Sequence, residues 1–119
     1  MSVDKNYYVI GGYDLTEFRA DKYSDWKWTE QGEEYTCYQA NGKIQLFDDP
    51  MSGHYLYLGY IFASGDEYDF DTARFSISDV EKHHKDVETE LLKLVEVGII
   101  RKDALMHLQF NLIAFEECR

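Results

Sequence analysis

One segment constrains the fold more than any other: a helix predicted over residues 79–97. Ser78 and Glu81 form a capping-box pattern, in which the hydroxyl and the carboxylate each bond a free backbone amide. Apolar side chains then recur at the spacing of one helical face, at Val80, Val87, Leu91, Leu94 and Val95. Gly98 suits the left-handed C-cap position, and Ile99 can fold back on the last turn. A helix with one apolar stripe needs a flat apolar partner, which the rest of the chain must supply.

Most of the remaining chain has the pattern of β-strands. The predicted strands cover residues 6–13, 34–39, 43–47, 54–62, 67–77 and 109–115. Asn41-Gly42 is a strong hairpin signal, Gly11-Gly12 indicates a bulge or a close approach of another backbone, and residues 63–66 are a predicted turn. A short N-terminal helix or turn is expected between Asp14 and Ser24. The sequence therefore predicts an α+β fold, with a mostly antiparallel sheet of about five to six strands and the long helix on one face.

Length and composition predict a single soluble domain spanning residues 1–119. A chain of this length builds one core, and its 45% hydrophobic and 16% aromatic content excludes a disordered chain. No window approaches the roughly 20 apolar residues that cross a bilayer, and the first residues lack a leader pattern. Cys37 and Cys118 match no metal spacing and are predicted to be free thiols. These features predict a cytoplasmic protein.

The charge balance restricts the partners. Twenty-three acidic residues against twelve basic ones leave a formal net charge of -11. Nucleic-acid phosphates and anionic lipids attract cations, so direct binding to nucleic acid or to a membrane is disfavoured. A basic protein surface, including one that normally holds nucleic acid, is the favoured partner. The alternative is that the charge only keeps an aromatic-rich domain soluble.

Residues 65–71, Gly-Asp-Glu-Tyr-Asp-Phe-Asp, alternate carboxylates with aromatic rings. On a strand, Glu67, Asp69 and Asp71 share one face at intervals of about 7 Å, and the aromatic side chains share the other. This carboxylate ladder has three interpretations: a solvated face that discourages aggregation, a loose mimic of nucleic-acid phosphates, or a divalent-metal site. The metal site would be completed by Asp48, Asp49 or His54. The calcium-loop pattern is absent because its glycine and terminal glutamate are missing.

Motifs that would indicate catalysis are absent. The chain has no G-x-S-x-G, no P-loop, no dinucleotide fingerprint and no H-E-x-x-H motif. His83 and His84 are neighbours on the predicted helix and diverge by about 100°, so they are not a metal pair. His84 lies beside the apolar stripe and is predicted to be a histidine at the boundary of the core. We expect neither a cofactor nor an enzymatic activity.

The aromatic residues outnumber what a small core requires. Tyr and Trp are enriched at protein interfaces because they offer rigid, amphipathic contact area. Tyr55 and Tyr57, on one side of the central strand, together with Trp26 or Trp28 on an extended segment or turn, form a candidate interface. Self-association as a homodimer would use the same surface. The alternative is that these rings form a second layer of core.

Three stretches carry a resemblance to a group of small proteins: Gly12-Tyr-Asp-Leu15, Asp49-Pro-Met-Ser-Gly-His-Tyr-Leu-Tyr-Leu-Gly59 and Asp66-Glu-Tyr-Asp-Phe70. The chain resembles small uncharacterised proteins encoded by phages and prophages of Gram-positive bacteria, over most of its length. That group has no assigned activity, so no catalytic residue is implied. The resemblance implies a bacterial host cell as the setting, and a host or defence protein as the target.

These observations predict a non-enzymatic acidic protein that docks on a basic site of another protein. Electrostatic contact would come from the carboxylates of Asp48, Asp49, Asp66, Glu67, Asp69 and Asp71. The aromatic anchors would be Tyr55, Tyr57, Trp26 and Trp28. A self-associating accessory protein and a small metal-dependent hydrolase or nuclease, built on the carboxylate ladder, are the alternatives.

Overall fold

A computed structural model of the protein describes residues 5–36, 44–49, 53–66 and 74–118. The strands within them are β1 (Lys5–Asp14), β2 (Ile44–Asp48), β3 (Leu56–Asp66) and β4 (Asn111–Cys118). The helices are α1 (Tyr23–Trp26), α2 (Glu30–Thr36), α3 (Ile77–Val97) and α4 (Ala104–His107), with a 3-10 turn at Thr16–Phe18. The predicted α+β class, with one long helix and an antiparallel sheet, is confirmed.

The four described strands form one antiparallel sheet in the order β2-β3-β1-β4. The sheet differs from the prediction at two places. Residues 63–66, predicted as a turn, continue β3 because they pair with residues 6–9 of β1. Residues 34–36, predicted as the start of a strand, belong to α2. The Asn41-Gly42 hairpin and residues 67–73 of the strand predicted at 67–77 lie outside the described residues, and residues 74–77 are not a strand, because they lead into α3 and begin it.

The glycines of β1 allow the close backbone approach that their sequence predicts. Gly12 pairs with Gly59 of β3, and a Cβ atom added at Gly12 would lie 1.8 Å from the Leu58 carbonyl oxygen. Only glycine fits at such a position. The register of the same strand pair shifts between Val9 and Ile10, so an irregularity of the bulge type is also present.

Helix α3 packs on one face of the sheet through the predicted stripe, with Val87, Leu91 and Leu94 buried. Its start differs from the prediction. Ser76, not Ser78, is the N-cap, and its capping-box partner is Asp79. The same Ser-x-x-acid pattern occurs twice in residues 76–81. The usual capping box ends in Glu or Gln, so the sequence favours the later serine.

The end of α3 and its two histidines agree with the sequence. Gly98 has a φ of 91°, and Ile99 is fully buried. His84 is half-buried and stacks on Phe110 at 4.3 Å between ring centroids, as expected of a histidine at the core boundary. His83 stacks on Tyr60 of β3 at 3.7 Å. None of the helices among the described residues is long and apolar enough to cross a membrane.

The N-terminal helix predicted between residues 14 and 24 is not a continuous helix. The chain instead makes the 3-10 turn and, after a bend, the four-residue α1. Leu15, Tyr23 and Trp26 point from this segment into the core beneath α3. The apolar side chains that a short helix would bury are thus brought into the core by two separate elements, the 3-10 turn and α1.

The face of the sheet opposite α3 carries a second cluster of rings. Tyr8, Phe47, Tyr55, Tyr57 and Phe115 contact one another there, at centroid distances of 4.9 to 5.6 Å. We call this surface the aromatic face. Phe47 is 1% exposed although it does not belong to the core under α3. The domain therefore buries apolar surface on both sides of its sheet.

Candidate functional site

Asp48, one of the predicted docking carboxylates, is engaged inside the fold. Its Oδ2 accepts a hydrogen bond from the Tyr23 hydroxyl at 2.9 Å and one from the Lys27 ammonium at 3.2 Å. The side chain is only 12% exposed. Burial and the adjacent negative charge of Asp48 together raise the pKa of Tyr23 well above its usual value. Asp48 therefore ties α1 to the end of β2 and has little surface to offer a partner.

The other predicted carboxylates are only partly described. One Asp49 oxygen accepts a hydrogen bond from the backbone amide of His54 at 3.3 Å, which links the end of β2 to the residues just before β3. Asp66 ends β3 opposite Asn6 of β1. The remaining carboxylates of the ladder, Glu67, Asp69 and Asp71, lie outside the described residues. Their use for docking or for metal binding stays a prediction.

Tyr55 and Tyr57 are stacked at 4.9 Å between centroids and both pack on Phe115. Burial raises the pKa of both hydroxyls, and the negative charge of the buried Glu117 raises that of Tyr55 further. The two rings are half-buried, because much of their surface packs against the other rings of the aromatic face. This arrangement favours the interpretation of these tyrosines as a second core layer.

The two tryptophans do not share a surface. Trp26 is 8% exposed, packs between Tyr23 and Tyr35, and donates its indole N–H to Gln31 at 3.2 Å. Trp28, two residues later, is 74% exposed. Of the two predicted conformations, an extended segment or a turn, the structure has the turn, because α1 ends at Trp26 and Lys27 is helical. Trp26 belongs to the core, and Trp28 is the anchor available at the surface.

Trp28 lies in a strongly acidic stretch of the sequence. Residues 21–36, which we call the acidic helical segment, contain α1, α2 and five exposed carboxylates: Asp21, Asp25, Glu30, Glu33 and Glu34. The same segment has two lysines. One of these, Lys27, binds Asp48 and places its ammonium 5.3 Å from the Trp28 ring. The segment thus carries one exposed ring and five exposed carboxylates, and a lysine that is already paired with Asp48 lies next to the ring.

The sequence contains a signal for α2 that the strand-like composition of residues 34–39 obscured. The Thr29 hydroxyl accepts a hydrogen bond from the Gly32 amide at 3.1 Å, which is N-cap geometry. A threonine followed by Glu30 and Glu33 indicates a helix start, since acidic residues favour the first turn. Recognising it would have identified the acidic helical segment from sequence.

Comparison of the chain with protein-family models, with curated proteins and with solved structures finds no match. The residues therefore carry the functional argument alone. Within the described ranges, no three His, Cys, Asp or Glu side chains are grouped closely enough to hold a metal ion. The acidic helical segment is the described surface on which exposed carboxylates and an exposed aromatic ring occur together.

Proposed function

We propose that this chain is a non-enzymatic acidic binding protein that docks on a basic site of another protein. The observation that carries the proposal is Trp28, which is 74% exposed and belongs to the same short acidic helical segment as five exposed carboxylates. A tryptophan of this exposure leaves a large apolar surface in water, which a partner can cover. The acidic helical segment therefore replaces the tyrosine pair as the proposed docking surface.

The two kinds of residue have different roles in such a contact. Tryptophan is among the residues that most often dominate the binding energy of an interface, because its ring fills a pocket and excludes water. Charges at the rim mainly attract the partner, speed association and reject partners of the same sign. The Lys27 ammonium lies 5.3 Å from the centroid of the Trp28 ring, a weak cation–π contact that leaves the ring exposed to a partner.

The proposed partner is a protein whose basic surface normally holds nucleic acid, in the cytoplasm of a bacterial host cell. The net charge of -11 supports this class of partner. The resemblance to phage-encoded proteins supports a host or defence protein within it. The carboxylate ladder, with Glu67, Asp69 and Asp71, would add a second negative contact, acting as a partial imitation of a phosphate backbone.

Self-association is a second candidate function, favoured by one observation. Leu112 lies on β4, at an edge of the described sheet, and is 51% exposed. An apolar side chain on an edge strand invites pairing with a second copy. Sedimentation at high protein concentration separates the candidates. A strict monomer rejects self-association and leaves docking untouched.

Affinity capture from a bacterial lysate, followed by binding assays with the purified captured protein, tests the docking proposal. Trp28→Ala should weaken binding at least tenfold, and Glu30→Gln with Glu33→Gln should weaken it and reduce its salt dependence. Ile77→Ala and Glu81→Gln with Glu96→Gln are matched controls, because they remove equally exposed apolar area and charge from α3. The variant Asp69→Asn with Asp71→Asn tests the ladder separately.

The proposal predicts that the segment variants lose binding while the α3 controls keep it and all variants unfold at the wild-type temperature. Binding that is insensitive to salt and to both sets of segment substitutions contradicts docking through the acidic helical segment. If only the ladder variant loses binding, the acidic protein still docks, but through residues 67–71.

A further inference from the structure

A groove opens on the sheet face opposite α3, next to the aromatic face. Its volume is about 380 Å³, within the roughly 300–1,000 Å³ typical of small-ligand sites. Strands β1, β2 and β3 supply its lining, which consists of Asn6, Tyr8, Gln45, Ile61, Ser64, Gly65 and Asp66. The groove is therefore built on paired strands, which hold the lining side chains at fixed spacing.

Gln45 is the most informative residue of this groove. It is 2% exposed, yet its carboxamide makes no side-chain hydrogen bond with any residue in the described part of the chain. Gln45 pairs with Gly59 of β3, and the space over Gly59 itself is filled by the side chain of Ile10. The carboxamide of Gln45 lines the groove, where water or a ligand can satisfy it. The groove is much larger than the roughly 30 Å³ that one water occupies.

Two further neutral polar side chains face the same space from the neighbouring strand pair. Asn6 lies opposite Asp66, and Ser64 lies opposite Tyr8. Neither Asn6 nor Ser64 makes a side-chain hydrogen bond to another described residue. Two carboxamides, a hydroxyl and the carboxylate of Asp66 therefore line the groove, and the carboxamides and the hydroxyl can each donate and accept. Tyr8 and Ile61 provide apolar walls beside them.

We propose that this groove binds a small uncharged nitrogen heterocycle, of the class of a nucleobase or nucleoside. A carboxamide presents a donor and an acceptor in one plane, which matches the paired donor and acceptor on the edge of such a ring. The ring itself is flat and fits between apolar walls like those of Tyr8 and Ile61. The net charge of -11 disfavours phosphorylated forms of the ligand. This site is separate from the acidic helical segment and does not depend on the docking proposal.

Titration of the full chain with adenosine, uridine and glucose, followed by amide NMR spectra, tests the proposal. A nucleoside should shift the side-chain amide signals of Gln45 and Asn6 and the backbone signals of residues 61–66. Gln45→Met keeps the side-chain length but removes the amide, and should weaken nucleoside binding about tenfold. Gln109→Met is the matched control, because Gln109 is exposed and lies outside the groove lining.

Ser64→Ala provides a second variant that keeps the result interpretable if Gln45→Met unfolds, since Ser64 is exposed. It too should weaken nucleoside binding while leaving the unfolding temperature unchanged. Absence of any shift at millimolar adenosine and uridine overturns the proposal. Binding of glucose alone overturns the assigned ligand class. If Gln45→Met, Ser64→Ala and Gln109→Met all leave binding unchanged, the ligand binds elsewhere, and the proposal is overturned.

Discussion

The ring of Phe47 meets the ring of Phe115 edge-on, with their centroids 5.1 Å apart. These residues lie on β2 and β4, the two edge strands of the described sheet, with β3 and β1 between them. A flat sheet would hold β2 and β4 about 14 Å apart, from three spacings of roughly 4.8 Å. The sheet must therefore coil strongly, so that its edge strands approach each other over the aromatic face. This coiling creates both the second core layer and the groove beside it.

The contact predicts an energetic coupling between the edge strands. In a double-mutant cycle with Phe47→Leu and Phe115→Leu, the two changes should differ from additivity by about 0.5–1.5 kcal/mol, as expected of an edge-on aromatic pair. Urea unfolding gives the free energies. Phe62→Leu is the control partner, because Phe62 packs on Phe75 and His83 on the α3 side. Equal coupling of Phe47 to Phe62 and to Phe115 would contradict the coiled arrangement.

Two serines near the start of α3 make a second prediction. Ser76→Ala should lower the free energy of unfolding by about 0.5–2 kcal/mol, because the Ser76 hydroxyl accepts a hydrogen bond from the Asp79 amide. Ser78→Ala should change it by less than about 0.5 kcal/mol, since Ser78 is exposed within the helix. Chemical denaturation of the two variants checks this. A larger loss for Ser78→Ala would move the cap back to the position predicted from sequence.

The features that sequence predicts well are those with local causes. The stripe of α3, its Gly98 end and the close approach at Gly12 depend on residue type and spacing within a few positions. Residues 34–36 were predicted as part of a strand, although they belong to α2, because Tyr35 and Thr36 favour strands. Contacts from distant segments decide their state: Tyr35 donates to Glu90 of α3 at 2.7 Å, and the Gly32 position abuts the Trp26 carbonyl. Such contacts have no signature in the local pattern.

The candidate site shows the same division. Composition predicted an excess of carboxylates and of aromatic rings, and in the acidic helical segment five carboxylates and the ring of Trp28 are exposed; binding through them stays a prediction. Which tryptophan is exposed could not be predicted, because it depends on the helical turn that ends α1 and not on alternation along a strand. The use of Asp48 inside the fold depends on Tyr23 and Lys27, more than twenty positions away. The groove arises from the coiling of the sheet and has no sequence pattern of its own.

The glycines of β1 make a third prediction, through two adjacent substitutions. Gly12→Ala should prevent folding or nearly so, because the added Cβ would lie 1.8 Å from the Leu58 carbonyl oxygen, and the strand backbone cannot move away without breaking its pairing. Gly11→Ala should be tolerated better, since its Cβ meets the ends of the Phe62 and Phe110 rings, which can turn. Far-UV circular dichroism and thermal unfolding distinguish the two variants. Equal stability of both would show that β1 and β3 are less close than the structure describes.

A fourth prediction concerns alkaline pH. Burial, and then the charge and hydrogen bond of Asp48, raise the pKa of Tyr23 above its unfolded value of about 10. A group with a raised folded pKa contributes stability that is complete below the unfolded pKa and is lost as the pH rises towards the folded pKa. The free energy of unfolding should therefore fall as the pH increases beyond about 10. Denaturant unfolding between pH 8 and 11, roughly two units below to one unit above that value, measures the decline.

The contribution of Tyr23 to this decline can be isolated with Tyr23→Phe. This variant loses the hydrogen bond to Asp48 and should be less stable at neutral pH, by about 1 kcal/mol. It should also lose stability more slowly above pH 10, because one titrating hydroxyl has been removed. Equal slopes for wild type and variant would mean that Tyr23 ionises as readily in the folded chain as in the unfolded one. The contact of α1 with the end of β2 would then not be a buried, charge-coupled link. The position of Lys27, and through Lys27 that of Trp28, depends on such a link.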